Sequence, residues 1–225
     1  MSSSLFSGAV HMSIVRFLCA LGLICLAGLV LPAVQADDSN GQRPPQWATP
    51  VGNQYNLYQM TPTLYRSTLP DSNAVPMLLK LNITTVINFQ PEADSSWLSA
   101  PEIKQVQLPY RISHVDDADV LAVLRAIREA EDKGSVLIHD RQGTERTGLM
   151  AAMYRVVVQG WTKEEALSEM IMGGFGDSPH FKDSIRYMMQ AHVDKLREAL
   201  ASGACSTNPY ATCAVKSWLK SASFE

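Results

Sequence analysis

Along the chain, apolar positions change their spacing in a way that separates strands from helices. Leu64-Tyr65-Arg66-Ser67 is a short strand-like stretch, halted by Leu69-Pro70. Val75, Leu78, Leu79 and Leu81 recur at helical spacing before Ile83 to Phe89, a β-branched run that predicts a strand. Ile103 to Leu108 alternates apolar and polar residues, as a strand edge does. Asp116 is placed to cap a helix with Val120, Leu124 and Ile127 on one stripe, and Gly134 stops it. Ser135 to His139 is a buried-strand pattern, and a loop leads from it into a helix from about Thr147 to Gln159. That helix is striped by Met150, Met153, Tyr154 and Val157. Thr162 and Glu165 form a capping box for the next helix, which ends at Gly173-Gly174. Ser178-Pro179 starts a last helix with Phe181, Ile185, Met188, His192 and Leu196 at helical spacing. Strands early, a strand–loop–helix in the middle and helices late predict one α/β domain.

The N-terminal end reads differently. Arg16 precedes an apolar run from Phe17 to Leu31, followed by Pro32-Ala33-Val34-Gln35-Ala36. This run is shorter than the ~20 residues a spanning helix needs. A basic start, a short apolar centre and small residues at Val34 and Ala36 read as a secretory signal peptide over 1–36, cut after Ala36. The competing reading is an uncleaved anchor. Residues 37–51 are polar, carry Pro44, Pro45 and Pro50, and are expected to be a flexible leader. The domain is expected over 52–200, with a C-terminal extension over 201–225. Cleavage removes Cys19 and Cys25 and leaves Cys205 and Cys213, an even pair in an exported chain. They are expected to form one disulfide, two free thiols being the alternative. The expected location is periplasmic or otherwise secreted, with no membrane span after cleavage.

Composition narrows the function classes. A net charge of −3 without a basic block argues against nucleic-acid binding, which needs clustered Lys and Arg. Hydrophobic residues at 46% exclude a disordered chain. No pair of histidines has metal-ligand spacing together with a third ligand, and no cofactor is expected. His180 and His192 are expected in helix packing, and the Met-rich faces at Met150, Met153, Met170, Met172, Met188 and Met189 in the core.

The candidate chemistry lies in His139-Asp140-Arg141-Gln142-Gly143-Thr144-Glu145-Arg146-Thr147-Gly148. It sits where a buried strand meets a helix N-terminus. There, backbone N–H groups converge and the helix dipole favours an anion. Gly143 permits a tight turn, the planar fork of Arg146 can hold two phosphate oxygens, and Thr147 can lend a hydroxyl. His139 is expected to be a buried residue that shapes the loop.

His-Cys-x5-Arg-Ser/Thr-Gly after a strand is the signature of the cysteine-dependent protein tyrosine phosphatases, which this loop resembles at His139, Gly143, Arg146, Thr147 and Gly148. The segments NLYQMTPTLYRSTLP at 56–70, TTVINF at 84–89, RTGLMAAMYRVVVQGW at 146–161 and GGFGD at 173–177 look like its small dual-specificity branch. The resemblance covers nearly the whole chain after residue 36. It implies a central twisted, mostly parallel sheet of four or five strands with helices on both faces. It also implies a phosphate loop formed by Arg141, Gln142, Gly143, Thr144, Glu145 and Arg146, and a phosphorylated protein or other phosphate ester as partner.

Two positions depart from the family. Asp140 stands where the family has its nucleophilic cysteine, a change that needs more than one base substitution. A carboxylate is a weaker nucleophile and a fixed anion where the substrate's own charge must sit. The family's general acid aligns with Ser113; Asp116 and Asp117 are the fallback acids, although a helix cap and a first-turn acid suit them better. His114, beside Ser113, is a substitute acid or simply an exposed loop residue. Three outcomes stay open: a catalytically impaired family member that keeps its cradle, an active phosphatase using Asp140 in an unusual role, or an interaction protein whose cradle is closed by an Asp140–Arg146 pair.

Overall fold

A computed structural model describes residues 43–178 and 181–215. The signal segment, Cys19, Cys25, His180 and residues 216–225 lie outside the described residues. Six strands form one sheet: β1 (Thr49–Pro50), β2 (Tyr58–Gln59), β3 (Leu64–Ser67), β4 (Ile83–Asn88), β5 (Lys104–Gln107) and β6 (Ser135–His139). Their order is β1-β2-β3-β6-β4-β5. β3, β6, β4 and β5 run parallel, while β1 and β2 add an antiparallel edge. The expected mostly parallel sheet is therefore present, with two short strands more than the sequence pattern announced.

The helices are α1 (Val75–Lys80), α2 (Asp117–Glu131), α3 (Arg146–Val157), α4 (Lys163–Met172), α5 (Phe181–Gln190) and α6 (Val193–Ser202). Alternate residues of the central strands feed two cores. Ile87, Val136 and Ile138 pack with residues of α2 to α6, such as Leu124, Met150, Met170, Met188 and Leu196. Val86 and Leu137 point the other way, into a smaller core with Leu78 of α1, Trp97 and Ile103. Cover on both faces explains why these strands read as continuous apolar runs. Met172 and Met189, expected in the core, are instead exposed at 65% and 57%.

The segment expected to be a flexible leader is, from Arg43 onward, part of the domain. Ala48 is buried and its N–H donates to Glu169 Oε1 at 2.6 Å. The Arg43 guanidinium donates to Ala48 O at 2.7 Å and Gly173 O at 2.6 Å, and it lies over the Tyr58 ring. Thr49 and Pro50 then pair with Gln59 and Tyr58. Polar composition hid these long-range partners.

The late helix also differs from the expectation, because it breaks after Gln190. Lys163 Nζ donates to Met189 O at 2.9 Å and Ala191 O at 2.8 Å, so a cation caps the end of α5. His192 turns out of helical geometry (φ −88°, ψ 90°) as the residue before α6, and is exposed rather than in an apolar stripe. α6 ends at Gly203 in the left-handed conformation, φ 80°. A disulfide joins Cys205 and Cys213, whose Cα atoms are 6.2 Å apart. Thr207, inside that loop, donates to Asp117 at the start of α2. The described part of the C-terminal extension thus folds back onto the domain.

Candidate active site

β6 is an interior strand of the parallel group, between β3 and β4, and His139 is its last residue. His139 is fully buried, with Nε2 at 2.9 Å from Asp94 Oδ2. Asp94 Oδ1 accepts from Asn88 Nδ2 and Trp97 Nε1, both at 2.9 Å. The histidine is thereby fixed in orientation from behind the loop, which is the shaping role the sequence suggested.

After His139 the chain turns through residues 140–145 into α3. Asp140 is 4% exposed, and its Oδ1 accepts from Gly143 N–H at 2.6 Å and Thr147 Oγ1 at 2.9 Å. No residue other than glycine suits position 143: φ is +70°, and a Cβ would stand 2.6 Å from Ser67 O. The carbonyl of the same residue accepts from Arg66 Nη2 at 2.6 Å. The Arg66 guanidinium is buried against the Phe175 ring, 3.6 Å from its centroid. Burial pulls its pKa down to about 10, with Glu169 and Asp140 opposing that loss of charge.

α3 begins with Gly148 N–H to Thr144 O at 3.0 Å and Leu149 N–H to Glu145 O at 2.9 Å. The amides ahead of them are the free donors of a helix start. Arg146 is half-buried, and its Nη1 donates to Phe89 O at 3.0 Å. Its own carbonyl accepts from the Tyr110 hydroxyl at 2.7 Å. Burial, with the Asp140 charge second, pushes the Tyr110 phenol well above its ordinary pKa. The Asp140–Arg146 pair, one of the three outcomes left open by the sequence, is absent from the ion pairs of the described residues. Asp140 instead accepts from the loop amide of Gly143 and from the Thr147 hydroxyl.

The other candidates divide clearly. Thr144 is buried with its hydroxyl unpartnered among the described residues, and Glu145 accepts from Ser178. Arg141 and Gln142 are exposed on the loop. Ser113 lies on a separate exposed turn, with Oγ at 2.8 Å from His114 Nδ1. Asp116 caps α2 by accepting from Ala118 and Asp119 N–H, and Asp117 accepts from Tyr187 OH at 2.7 Å. Both fallback acids are therefore committed to structural contacts. No group of three or more His, Cys, Asp or Glu among the described residues is placed to hold a metal ion.

A family profile described as "Swiss Army Knife protein, DSP-PTPase phosphatase domain" matches residues 64–208, spanning β3 to β6, the loop and every helix. The chain belongs to the dual-specificity protein phosphatase family. It is 45% identical over 202 residues to the dual specificity protein phosphatase TpbA of Pseudomonas aeruginosa, strain UCBPP-PA14, covering 90% of this chain and 91% of that one. The crystal structure of P. aeruginosa TpbA superposes with a TM-score of 0.68 at 48% identity, covering 71% of this chain and 99% of that one. A cysteine-to-serine form of TpbA in complex with pTyr gives 0.69, covering 72% and 100%. The catalytic core of Siw14, at 18% identity, TM-score 0.56 and coverage of 70% and 96%, shares the fold.

Sequence reasoning missed the phosphatase family member's supporting shell. Arg66 was seen only as part of a strand-like stretch, Leu64 to Ser67. The links of Asp94 to His139 and of Tyr110 to Arg146 carried no pattern, because they join residues 45 and 36 positions apart. Glu169 reads as a surface helix residue, yet it is buried and bound by Arg155 through two contacts of 2.7 Å.

Proposed function

We propose that this phosphatase-family protein is exported and catalytically impaired, and that its 140–147 loop holds the phosphoryl group of a phosphorylated protein or other phosphate ester without turning it over. The observation that carries this reading is the Asp140 carboxylate at the nucleophile position, with Gly143 N–H and the Thr147 hydroxyl both engaged by its Oδ1. A family thiolate attacks phosphorus while the loop amides and helix dipole stabilise it. The Asp140 carboxylate is the poorer nucleophile, and the Ser113 hydroxyl lacks the acidity to protonate a leaving oxygen. Export is supported by the 1–36 segment and by the Cys205–Cys213 disulfide, which suits an oxidising compartment.

The test is hydrolysis of phenyl phosphate in the presence of a chelator by the natural chain, Asp140→Cys, and Asp140→Cys with Ser113→Asp. Phenol is a poor leaving group, with a pKa of about 10, so an acid at position 113 should matter. Silence from the natural chain, activity in Asp140→Cys, and a further gain of ~10²–10⁴-fold in the double variant are expected. Turnover by the natural chain at the rate of its cysteine variant would show that Asp140 performs chemistry of its own.

A further inference from the structure

The segment from Gly173 to Ser178 lies against the 140–147 loop without belonging to it. A Cβ added at Gly176 would stand 2.9 Å from Thr144 Cγ2, so the two segments touch there. Ser178 donates to Glu145. Phe175 is buried between these points, and its ring carries the Arg66 guanidinium, 3.6 Å from the centroid. Arg66 in turn donates to Gly143 O at 2.6 Å. The place of the Phe175 ring therefore bears on the place of the Gly143 carbonyl.

This segment is fastened from the N-terminal side of the domain. Arg43 Nη1 donates to Gly173 O at 2.6 Å, while its Nε is anchored on Ala48 O at 2.7 Å. Arg43 Cζ lies 5.4 Å from the Phe175 centroid and 5.1 Å from that of Tyr58. The Tyr58 ring meets Phe175 edge to face, and its hydroxyl donates to Gly174 O at 3.0 Å. Arg43 Nη2 is buried with no hydrogen-bond partner among the described residues. That desolvation offsets part of what the other two bonds contribute to overall stability. Such a residue is a modest stabiliser of the whole fold, yet it grips a segment that touches the binding loop.

We infer that Arg43 is a positioning residue for the 140–147 loop: acting through Gly173 and Phe175 on Arg66, it holds the Gly143 carbonyl in place. The inference rests on the cradle reading in one respect, that a loop so held binds an oxyanion more tightly than a loose one. A side chain about a hundred residues before the loop then sets how well that loop is formed.

The test uses the purified natural chain, Arg43→Met and Arg43→Lys, with inorganic sulfate as the probe. Amide hydrogen exchange followed by nuclear magnetic resonance compares Gly143 N–H, bound to Asp140, with Val136 N–H, bound to Thr63 O at the start of β6. Arg43→Met keeps an unbranched stem but loses both hydrogen bonds. Gly143 should exchange about tenfold or more faster, as the loss of bonds from a charged donor implies, with Val136 unchanged. Calorimetry should show sulfate bound about tenfold or more weakly. Arg43→Lys should fall between, because it keeps the charge without the planar fork. An unchanged Gly143 rate in Arg43→Met overturns the inference. Acceleration of Gly143 and Val136 together also overturns it, and makes Arg43 a general stabiliser. Equal sulfate affinity in the natural chain and Arg43→Met overturns it too, and leaves the cradle reading standing. If the natural chain binds no sulfate, the cradle reading fails, and the Gly143 rate alone upholds or overturns the hold of Arg43 on the loop. If Arg43→Met folds poorly, the natural chain suffices. By reciprocity, bound sulfate must slow exchange of the Arg43 Nε–H, and an Nε–H indifferent to saturating sulfate overturns the inference.

Discussion

Gly143 offers a direct measurement of how tightly the loop is built. Its φ of +70° places it in the left-handed region, and an added Cβ meets Ser67 O at 2.6 Å, Ser67 C at 2.8 Å and Thr68 N at 2.9 Å. All three are backbone atoms of the neighbouring strand and its exit, so no side-chain rotation relieves the clash. Gly160 is an internal reference: its φ is +79°, with nothing within 4 Å of an added Cβ. Gly160→Ala carries only the left-handed cost of about 1–2 kcal/mol. Gly143→Ala carries the same cost plus overpacking of about 1–3 kcal/mol, so it should lose about 2–5 kcal/mol. The gain from stiffening the unfolded chain is common to both and cancels in the comparison. At roughly 2–4 °C per kcal/mol for a domain of this size, Gly143→Ala should melt ~2–12 °C below Gly160→Ala by circular dichroism. It should also lose oxyanion binding, because the two peptides flanking residue 143 can no longer hold the contacts to Asp140 and Arg66 together. Equal melting temperatures for the two variants would refute the close approach of Gly143 to β3.

Three further outcomes follow from buried contacts and caps. Asp94→Ala leaves Asn88, Trp97 and His139 without their acceptor. At ~1–3 kcal/mol per stranded donor, guanidinium unfolding should show a loss of at least about 3 kcal/mol, with Asp94→Asn milder. Arg155→Met strands the buried Glu169 carboxylate and should cost about 3–5 kcal/mol, whereas Arg155→Met with Glu169→Leu should recover part of it; a double variant as unstable as the sum of both singles contradicts this. Thr162 N–H and hydroxyl hold the Glu165 carboxyl below the usual carboxylate range. Its folded pKa is the lower one, so the cap's contribution is full at neutral pH and fades as acid protonates Glu165. Nuclear magnetic resonance titration should show Glu165 moving back up in Thr162→Ala, with about 0.5–2 kcal/mol of stability lost.

Local signals were read well and distant ones poorly. The α2 cap at Asp116, the α4 box of Thr162 and Glu165, and strands β4 and β6 each depend on neighbours within a few residues, so pattern was enough. The loop 139–148 was legible because strand, glycine and helix start are contiguous. Arg43, Ala48 and Glu169 were not, since the contacts that tie the proline-rich stretch to α4 and Gly173 come from more than a hundred residues on. His192 failed for a related reason: apolar spacing continued through it, while Lys163 ended the helix from outside. The Asp140–Arg146 pair was considered from charge alone, whereas Asp140 accepts from Gly143 and Thr147.

The place of β6 in the sheet has a consequence for how the protein is made. β3 and β4 do not touch; each is hydrogen-bonded to β6, which comes after both in the chain. As the chain is produced from its N-terminus, the two earlier strands wait with open edges until Ser135–His139 arrives between them. Loop closure over such separations is slow, and it sets the pace for sheets built from distant strands. The loop at residues 140–147 leaves the end of that late strand, so closure of the sheet and assembly of the binding loop are one kinetic event. A chain stalled before β6 would present unpaired strands and no cradle. Chaperones that guard such edges should act most strongly on nascent chains shorter than this point.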